Sequence, residues 1–230
     1  MALQSAQVSA VLPTASSDGT NAFLRTTARR DLYVTPIGSG LYSVVTEGGY
    51  FRAINPTPGT GIALGVQAAF SPTANVALSI RNTDTPGTAS RSVYPEYVRL
   101  ICTAAGTGTT SLDAVVVVDN TNRVSVAGTA ITAGNVNGNF SAAGFGLAGF
   151  GTVTATAEGA GTRRVSRLRL KSAALAIGDS FTLNFGLRGA GTSDLGPVSV
   201  GAGGTLLLHL WTVGATVAPS FEVECGWWER

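Results

Sequence analysis

Apolar and polar residues alternate along much of this chain with a period of two, which is the repeat of a β-strand that buries one face. In residues 165–171, two leucines alternate with two arginines and a lysine, so the two kinds of side chain lie on opposite faces. Residues 220–228 alternate in the same way and place Trp228 beside two glutamates on the polar face. Both segments are predicted to be half-buried strands.

Other segments carry strand patterns without a helical repeat. Residues 114–118 form the apolar block AVVVV, which predicts a strand that is buried on both faces. The polar turn at residues 119–122 is predicted to lead the chain back as a strand over 123–127. Further strands are predicted over residues 41–45, 50–54, 62–70, 75–81, 94–103, 181–185 and 205–211. About ten short strands joined by turns predict an all-β fold, an antiparallel β-sandwich or jelly roll.

The first thirty residues differ from the rest, because their apolar residues are small and scattered and Pro13 interrupts any repeat. Residues 1–30 are therefore predicted to be an extended N-terminal arm, and residues 31–230 a β-sandwich domain. Three arginines near the end of the arm could place it over a neighbouring subunit by bonds to carboxylates or carbonyls. A solvated tail fits the same pattern. The three arginines are Arg25, Arg29 and Arg30.

A stretch rich in glycine and phenylalanine, near residues 134–151, fits neither a strand nor a helix well. It holds six glycines, and Phe140, Phe145 and Phe150 are spaced five residues apart. The sequence predicts a long excursion from the sandwich, either a mobile loop or a contact-making segment. Three exposed phenylalanines would favour aggregation, so we expect them to contact a partner.

Charge is scarce along the whole chain. Lysine and arginine number 15 and aspartate and glutamate 13, which is 12% of residues, against about 25% in ordinary soluble domains. Lys171 is the only lysine. Interface cores are poor in charge and enriched in arginine, so the composition predicts an assembly component whose surface is covered by other protein. Arg167 and Arg169 on their strand face are candidate interface residues.

Several classes of partner are not indicated. A formal net charge of +2 does not demand a nucleic-acid partner. No apolar run is long enough to span a bilayer, so neither nucleic acid nor membrane is predicted. The N-terminus lacks a basic region followed by an apolar run, so no secretory signal is predicted and synthesis is expected to end in a cytosol.

A search for catalytic chemistry finds little. His209 is the only histidine and lies in the apolar run LLLHLW, where a structural role is far more common than a catalytic one. The two cysteines, Cys102 and Cys225, are predicted to be buried free thiols. One histidine and two distant cysteines give no metal-ligand spacing. Residues 144–149 match G-x-G-x-x-G without the strand and helix that a phosphate site needs. No catalytic residue, metal or cofactor is predicted.

The C-terminal residues combine aromatic rings with carboxylates. Glu222 and Glu224 lie two residues apart on one strand face, a distance of roughly 6.5 to 7 Å. Such a pair cannot flank the two sides of a glycosidic bond from a single strand, so glycoside hydrolysis is the weakest reading. Glycan binding remains open, while Trp228 and Arg230 are predicted to form a subunit contact.

Four segments resemble structural proteins of tailed bacteriophages. They are residues 55–63 (NPTPGTGIA), 97–107 (YVRLICTAAGT), 208–211 (LHLW) and 221–230 (FEVECGWWER), and the similarity spans most of the chain after residue 31. The resemblance implies a virion protein assembled in the host cytoplasm, a head decoration or cement protein that bridges capsid subunits. Its expected partners are the major capsid protein or other virion proteins and further copies of itself, with a trimer expected. Placement on the tail or a fibre remains open.

Overall fold

A computed structural model describes residues 25–26, 32–33, 48–74, 76–87, 90–140, 144–185 and 195–230. The chain forms two units, Met1–Ser39 and Gly40–Arg230. In the first unit, two short strands pair antiparallel, with Arg25 opposite Tyr33. The predicted arm falls in this unit, and apart from Arg25 and Thr26 it lies outside the described residues, as does the strand predicted over 41–45.

The described residues form strands and no helix, which confirms the all-β prediction. The strands are β1 (Arg25–Thr26), β2 (Leu32–Tyr33), β3 (Tyr50–Ile54), β4 (Ile62–Ala63), β5 (Val76–Asn82), β6 (Val93–Ala104), β7 (Ser111–Asp119), β8 (Val124–Val126), β9 (Thr129–Ile131), β10 (Ala133–Asn135), β11 (Gly146–Ala155), β12 (Arg163–Lys171), β13 (Ser180–Asn184), β14 (Thr205–Val213) and β15 (Ser220–Glu229).

The second unit is a sandwich of two antiparallel sheets. The first sheet has the order β10-β3-β15-β6-β13, with β4 also beside β15. The second has the order β12-β7-β14-β5-β11-β8, with β9 beside β11. Eight of these strands pair as a folded-over hairpin: β3 with β15, β5 with β14, β6 with β13, and β7 with β12. In these pairs the strands taken in order from the N-terminal side meet the strands taken in reverse order from the C-terminal side, which is jelly-roll topology.

The core lies between the inner faces of the two sheets. Leu100, Leu208 and Phe221 are each fully buried there. Every residue of β7 but one is buried, which confirms that the valine block around residue 116 is covered on both faces. Cys102 and Cys225 are buried free thiols, as predicted. Complete loss of solvent contact raises the pKa of Cys225 to about 12, so this thiol stays protonated at neutral pH.

Three local predictions were wrong. The segment 134–151 is not one excursion, because Gly146–Ala155 forms β11 and Phe150 is fully buried in the core. The chain after residue 119 does not turn back on β7, since β8 pairs with β11 instead. Of the strand predicted over 62–70, only Ile62–Ala63 is a strand. Leu64 is buried in the main core, while residues 68–70 lie over the outer face of the second sheet, where Phe70 packs against a second apolar cluster.

A buried ion pair ties this overlying segment to the loops around it. Arg123 and Asp119 are each 3% exposed, and the Arg123 Nε atom lies 3.5 Å from the Asp119 carboxylate. The Arg123 guanidinium also donates to the carbonyl oxygens of Pro72 at 2.9 Å and Thr156 at 2.6 Å. Thr162 donates its hydroxyl proton to the same carboxylate. Three separate segments therefore meet at one desolvated charge pair: residues 119–123, the segment with Pro72, and the loop between β11 and β12.

His209 has a structural position, as its sequence setting predicts. It is fully buried on the outer side of β14, with Nδ1 3.3 Å from the Ala74 carbonyl and the ring 5.1 Å from that of Phe70. Burial, with a smaller contribution from the nearby Arg123 charge, lowers the pKa of His209 to about 4 against the opposing effect of the Ala74 hydrogen bond. The imidazole is therefore neutral at neutral pH.

This depressed pKa predicts acid destabilisation. In the unfolded chain the imidazole has a pKa near its ordinary value of 6.5. Between that pH and about pH 4 the imidazole is protonated in the unfolded state and neutral in the folded state, so proton binding favours unfolding. We expect the His209 contribution to the free energy of unfolding to be nearly constant above pH 7 and to fall by about 2 kcal/mol between pH 7 and pH 5. Urea titrations at both pH values measure it. His209→Leu should flatten this slope, and an unchanged slope would assign it to other groups.

Candidate interaction surface

The outer face of the first sheet gathers aromatic and arginine side chains. The register places Gly226 of β15 between Arg52 of β3 and Tyr97 of β6, and Trp228 between Tyr50 and Tyr94. Glu224 lies in the next row, beside Arg99. We call this surface the aromatic face. It comprises Tyr50, Arg52, Tyr94, Tyr97, Arg99, Glu224 and Trp228.

Alternation along β15 produces this arrangement. Val223, Cys225 and Trp227 point into the core, which directs Glu224 and Trp228 outward. Gly226 lies at the centre of the face and has no side chain, and the two tyrosines beside it fill that space. A Cβ atom added there would lie 2.6 Å from both the Tyr50 hydroxyl and the Tyr97 ring. A larger residue at position 226 would therefore push the tyrosines apart.

Hydrogen bonds hold the tyrosines in place. The Tyr50 hydroxyl donates to Glu96 at 2.5 Å, and the Tyr97 hydroxyl donates to Glu224 at 2.5 Å. Burial, aided by these carboxylate acceptors, raises the pKa of both tyrosines well above the ordinary value. Both phenols thus remain neutral donors across the physiological range.

The arginines are the exposed charges of the face. Arg99 pairs with Glu224 through its Nη2 atom, and Arg52 lies 4.0 Å from the same carboxylate and 5.7 Å over the Tyr97 ring. The arginine side chains are 49% and 48% exposed, against 15% for the carboxylate. The face therefore presents guanidinium groups and aromatic rings to solvent, while its acid is covered.

Trp227 and Trp228 have opposite roles. Trp227 is fully buried, lies 6.4 Å from Phe51 ring to ring, and donates its indole N–H to Glu229 at 3.0 Å. Trp228 is part-exposed and stacks on Tyr94 with ring centroids 4.0 Å apart. The stack pre-orients an aromatic surface, so little side-chain entropy remains to be lost when a partner covers it.

The other predicted interface residues are scattered. Phe140 is 47% exposed at one end of the sandwich, but Phe145 and Phe150 are buried, so those two were wrong as contact residues. Arg167 and Arg169 are exposed on β12 of the second sheet, and Arg230 is exposed at the end of β15. Arg25, Arg29 and Arg30 have no described side chains. Among the predicted interface residues whose side chains are described, Trp228 belongs to the aromatic face and Arg230 follows it by two residues along the chain.

Phe140 and Phe145 do line one cavity, of about 460 Å³, at this end of the sandwich. The Arg91 guanidinium lies 4.1 Å above the Phe145 ring. The Glu229 carboxylate accepts from the backbone N–H of Gly146 at 2.9 Å and so joins the end of β15 to the start of β11. These contacts give the residues a structural role.

Sequence reasoning missed five members of the aromatic face: Tyr50, Arg52, Tyr94, Tyr97 and Arg99. The alternation within 94–103 does place Tyr97 and Arg99 on one face. Their nearness to Trp228 depends on β6 and β3 flanking β15, which no local pattern contains. Glu222, the other predicted carboxylate, accepts a hydrogen bond from the Gly59 backbone instead of pairing with Glu224.

Other chemistry can be examined in the described part of the chain. It holds no group of three or more histidine, cysteine, aspartate or glutamate side chains that could hold a metal ion. None of its segments is a helix long and apolar enough to cross a membrane. Comparison with models of known protein families, with curated proteins and with solved structures finds no match to this chain. What the fold and surface define is an antiparallel jelly-roll protein with one aromatic, arginine-bearing sheet face.

Proposed function

We propose that this chain is a non-enzymatic structural protein of a virion, a head decoration or cement protein that bridges capsid subunits. Its partners would be the major capsid protein or other virion proteins, with further copies of the chain in a trimer. The resemblance of four segments to tailed-phage structural proteins supports the proposal that the chain is part of a virion. The jelly roll is compatible with it, since capsid proteins and lectins both use this topology, although a fold alone does not define a function.

The aromatic face is the observation that carries the proposal. Binding hot spots are enriched in tryptophan, tyrosine and arginine, and these residue types are concentrated on one sheet face here. The rings are held by stacking and by hydrogen bonds to carboxylates, so the surface is preorganised before any partner arrives. A rigid, pre-formed face suits a protein that must add to an assembled shell.

The mechanism would be adhesive. Apolar surface removed from water contributes roughly 25 cal/mol per Å², and a symmetric shell repeats each contact many times. Arg52 and Arg99 would pair with carboxylates of the partner, which favours one orientation over others. Scarcity of charge elsewhere on the chain lowers the cost of desolvating a covered surface.

A sedimentation assay tests the proposal. The purified protein is expected to be a trimer by light scattering and to co-sediment with capsids that lack it. Trp228→Ala should weaken this binding by about thirtyfold, the effect of a hot-spot residue worth 2 kcal/mol. Ile177→Ala, a matched change at a residue 75% exposed outside the face, should bind as the unchanged protein does.

Two outcomes would count against it. A monodisperse monomer that does not bind such capsids would exclude the cement role. Equal binding by Trp228→Ala would place the contact elsewhere on the molecule.

The second candidate is a glycan- or receptor-binding module on a tail or fibre. The stacked pair of Trp228 and Tyr94 favours it, because the pair lies on the same face as Glu224 and the arginines. Aromatic faces with nearby charged groups can stack and hydrogen-bond a sugar. Glycan binding that Trp228→Ala abolishes, with particle assembly unaffected, would favour this candidate over the first.

A further inference from the structure

An open groove on the outer face of the second sheet is separate from the aromatic face. Its volume is about 520 Å³, within the range of pockets that bind ligands. We call it the Trp211 groove. The side chains that shape it are Phe70, Val115, Arg164, Val165, Arg167 and Trp211.

Strand register accounts for the floor and one wall. Arg167 of β12 lies opposite Val115 of β7, and Val115 lies opposite His209 of β14. Trp211 follows two residues along β14, on the same outer face. Phe70, from the segment that overlies the sheet, forms the other wall with its ring 6.0 Å from that of Trp211. The floor is therefore apolar, and arginines stand along the β12 side.

Val165 is the apolar residue that β12 contributes to the groove, and it lies at a β-bulge. The register shifts between Arg164 and Ser166, and Val165 in between is 40% exposed in the groove. Bulges bend a strand and redirect a side chain, and they are common beside binding sites. The bulge thus brings two consecutive residues, Arg164 and Val165, to the groove, and Val165 widens its apolar lining on the same face as Arg167.

The charges beside the groove are unbalanced. Arg164 is held by both oxygens of Glu158, at 3.0 and 2.7 Å, and lies 4.7 Å over Phe70. Arg167 makes no ion pair with any acidic residue that the structure describes. One positive charge without a partner therefore stands at the edge of an apolar floor, and an anionic group would complement it.

Trp211 forms part of the apolar floor. Its side chain is 6% exposed and belongs to the same apolar cluster as Val115. The groove thus combines an apolar floor with the unpaired Arg167 guanidinium, and an occupant with an apolar side chain and a carboxylate would satisfy both kinds of contact.

We propose that the Trp211 groove binds an extended acidic segment of a partner protein. One large apolar side chain of that segment contacts Trp211 and Val165, and an adjacent carboxylate pairs with Arg167. A peptide is favoured because the groove follows β12, a sheet-edge strand that pairs with β7 alone among the described strands. This inference does not depend on where in a virion the protein acts.

Short peptides test it in the full chain. Acetyl-Gly-Phe-Asp-Gly-amide is titrated into ¹⁵N-labelled protein, and the indole N–H signals of the three tryptophans are followed after assignment with Trp211→Phe. We expect the Trp211 signal to shift with this peptide, and at least fivefold weaker binding of the neutral match acetyl-Gly-Phe-Asn-Gly-amide. Arg167→Gln should abolish that preference. Arg163→Gln should retain it, because Arg163 does not line the groove and donates to the Ala160 and Thr162 carbonyls of the loop that precedes β12.

Four results would overturn the proposal. Equal affinity for the two peptides would show that the groove does not recognise the carboxylate. Equally tight binding of 3-phenylpropionate would point to a small-molecule pocket. A response that appears only after residues 1–24 are deleted would identify the chain's own N-terminal segment as the occupant. The absence of any shift of the Trp211 signal at peptide concentrations up to millimolar would also overturn it.

Discussion

Replacing Asp119 with alanine is expected to lower the free energy of unfolding by about 3 to 5 kcal/mol. The change leaves the Arg123 guanidinium, itself 3% exposed, without its carboxylate in a desolvated site. It also removes the acceptor used by the hydroxyl of Thr162. Because water cannot reach the arginine, the lost Coulomb attraction is not replaced, and the overlying segment should loosen with it. Chemical denaturation followed by tryptophan fluorescence measures the effect.

The matched control is Glu158→Ala, which removes a carboxylate from an arginine on the surface. The Arg164 side chain is 55% exposed, so its pairing with Glu158 is screened by solvent and is worth less than about 1 kcal/mol. A second variant, Asp119→Leu with Arg123→Met, should recover much of the lost stability, since apolar pairs often replace buried ion pairs at little cost. Equal losses for Asp119→Ala and Glu158→Ala would mean that the buried pair is solvated.

Trp227→Ala is expected to cost about 3 to 5 kcal/mol as well, for a different reason. The indole is fully buried against Phe51, and its removal leaves a cavity between the sheets. The Glu229 carboxylate, which joins β15 to β11 by accepting from the Gly146 N–H, would also lose the indole N–H that it accepts from within its own strand. The melting temperature and the urea midpoint should fall together.

The neighbouring Trp228→Ala supplies the control on the same strand. Trp228 lies on the opposite face, where it stacks on Tyr94, and loss of an aromatic pair costs about 0.5 to 1.5 kcal/mol. If the two substitutions destabilised the protein equally, the assignment of one indole to the core and the other to the surface would be wrong. A small loss for Trp228→Ala would also show that this variant can report on binding without unfolding the protein.

The local sequence pattern was sufficient to predict which side chains of a single strand are buried. The alternation in residues 220–228 correctly placed Trp227 in the core and Trp228 outside, because side-chain direction in a strand depends only on parity. The block of valines near residue 116 was correctly placed inside for a similar reason. Buried thiols and a structural His209 followed from their apolar neighbours along the chain.

The sequence-based prediction was wrong where glycine is mixed with large apolar residues. The glycines of residues 146–151 hid a strand, since glycine weakens the alternation on which strand prediction rests. Several of them are required by close packing: a Cβ at Gly149 would lie 2.1 Å from the carbonyl oxygen of Ala127. Phe150, taken for a contact residue, is instead buried at the centre of the core.

By itself, the sequence determined that the protein is an antiparallel all-β sandwich, because period-two alternation and turn residues are local properties of the chain. Tertiary structure alone decided which strands are neighbours, and hence that Tyr97, Arg52 and Trp228 share one face. It also decided that Phe70 stands beside Trp211, which forms the groove. Pairing between strands far apart in sequence comes from the joint burial of many side chains, and no single segment encodes it.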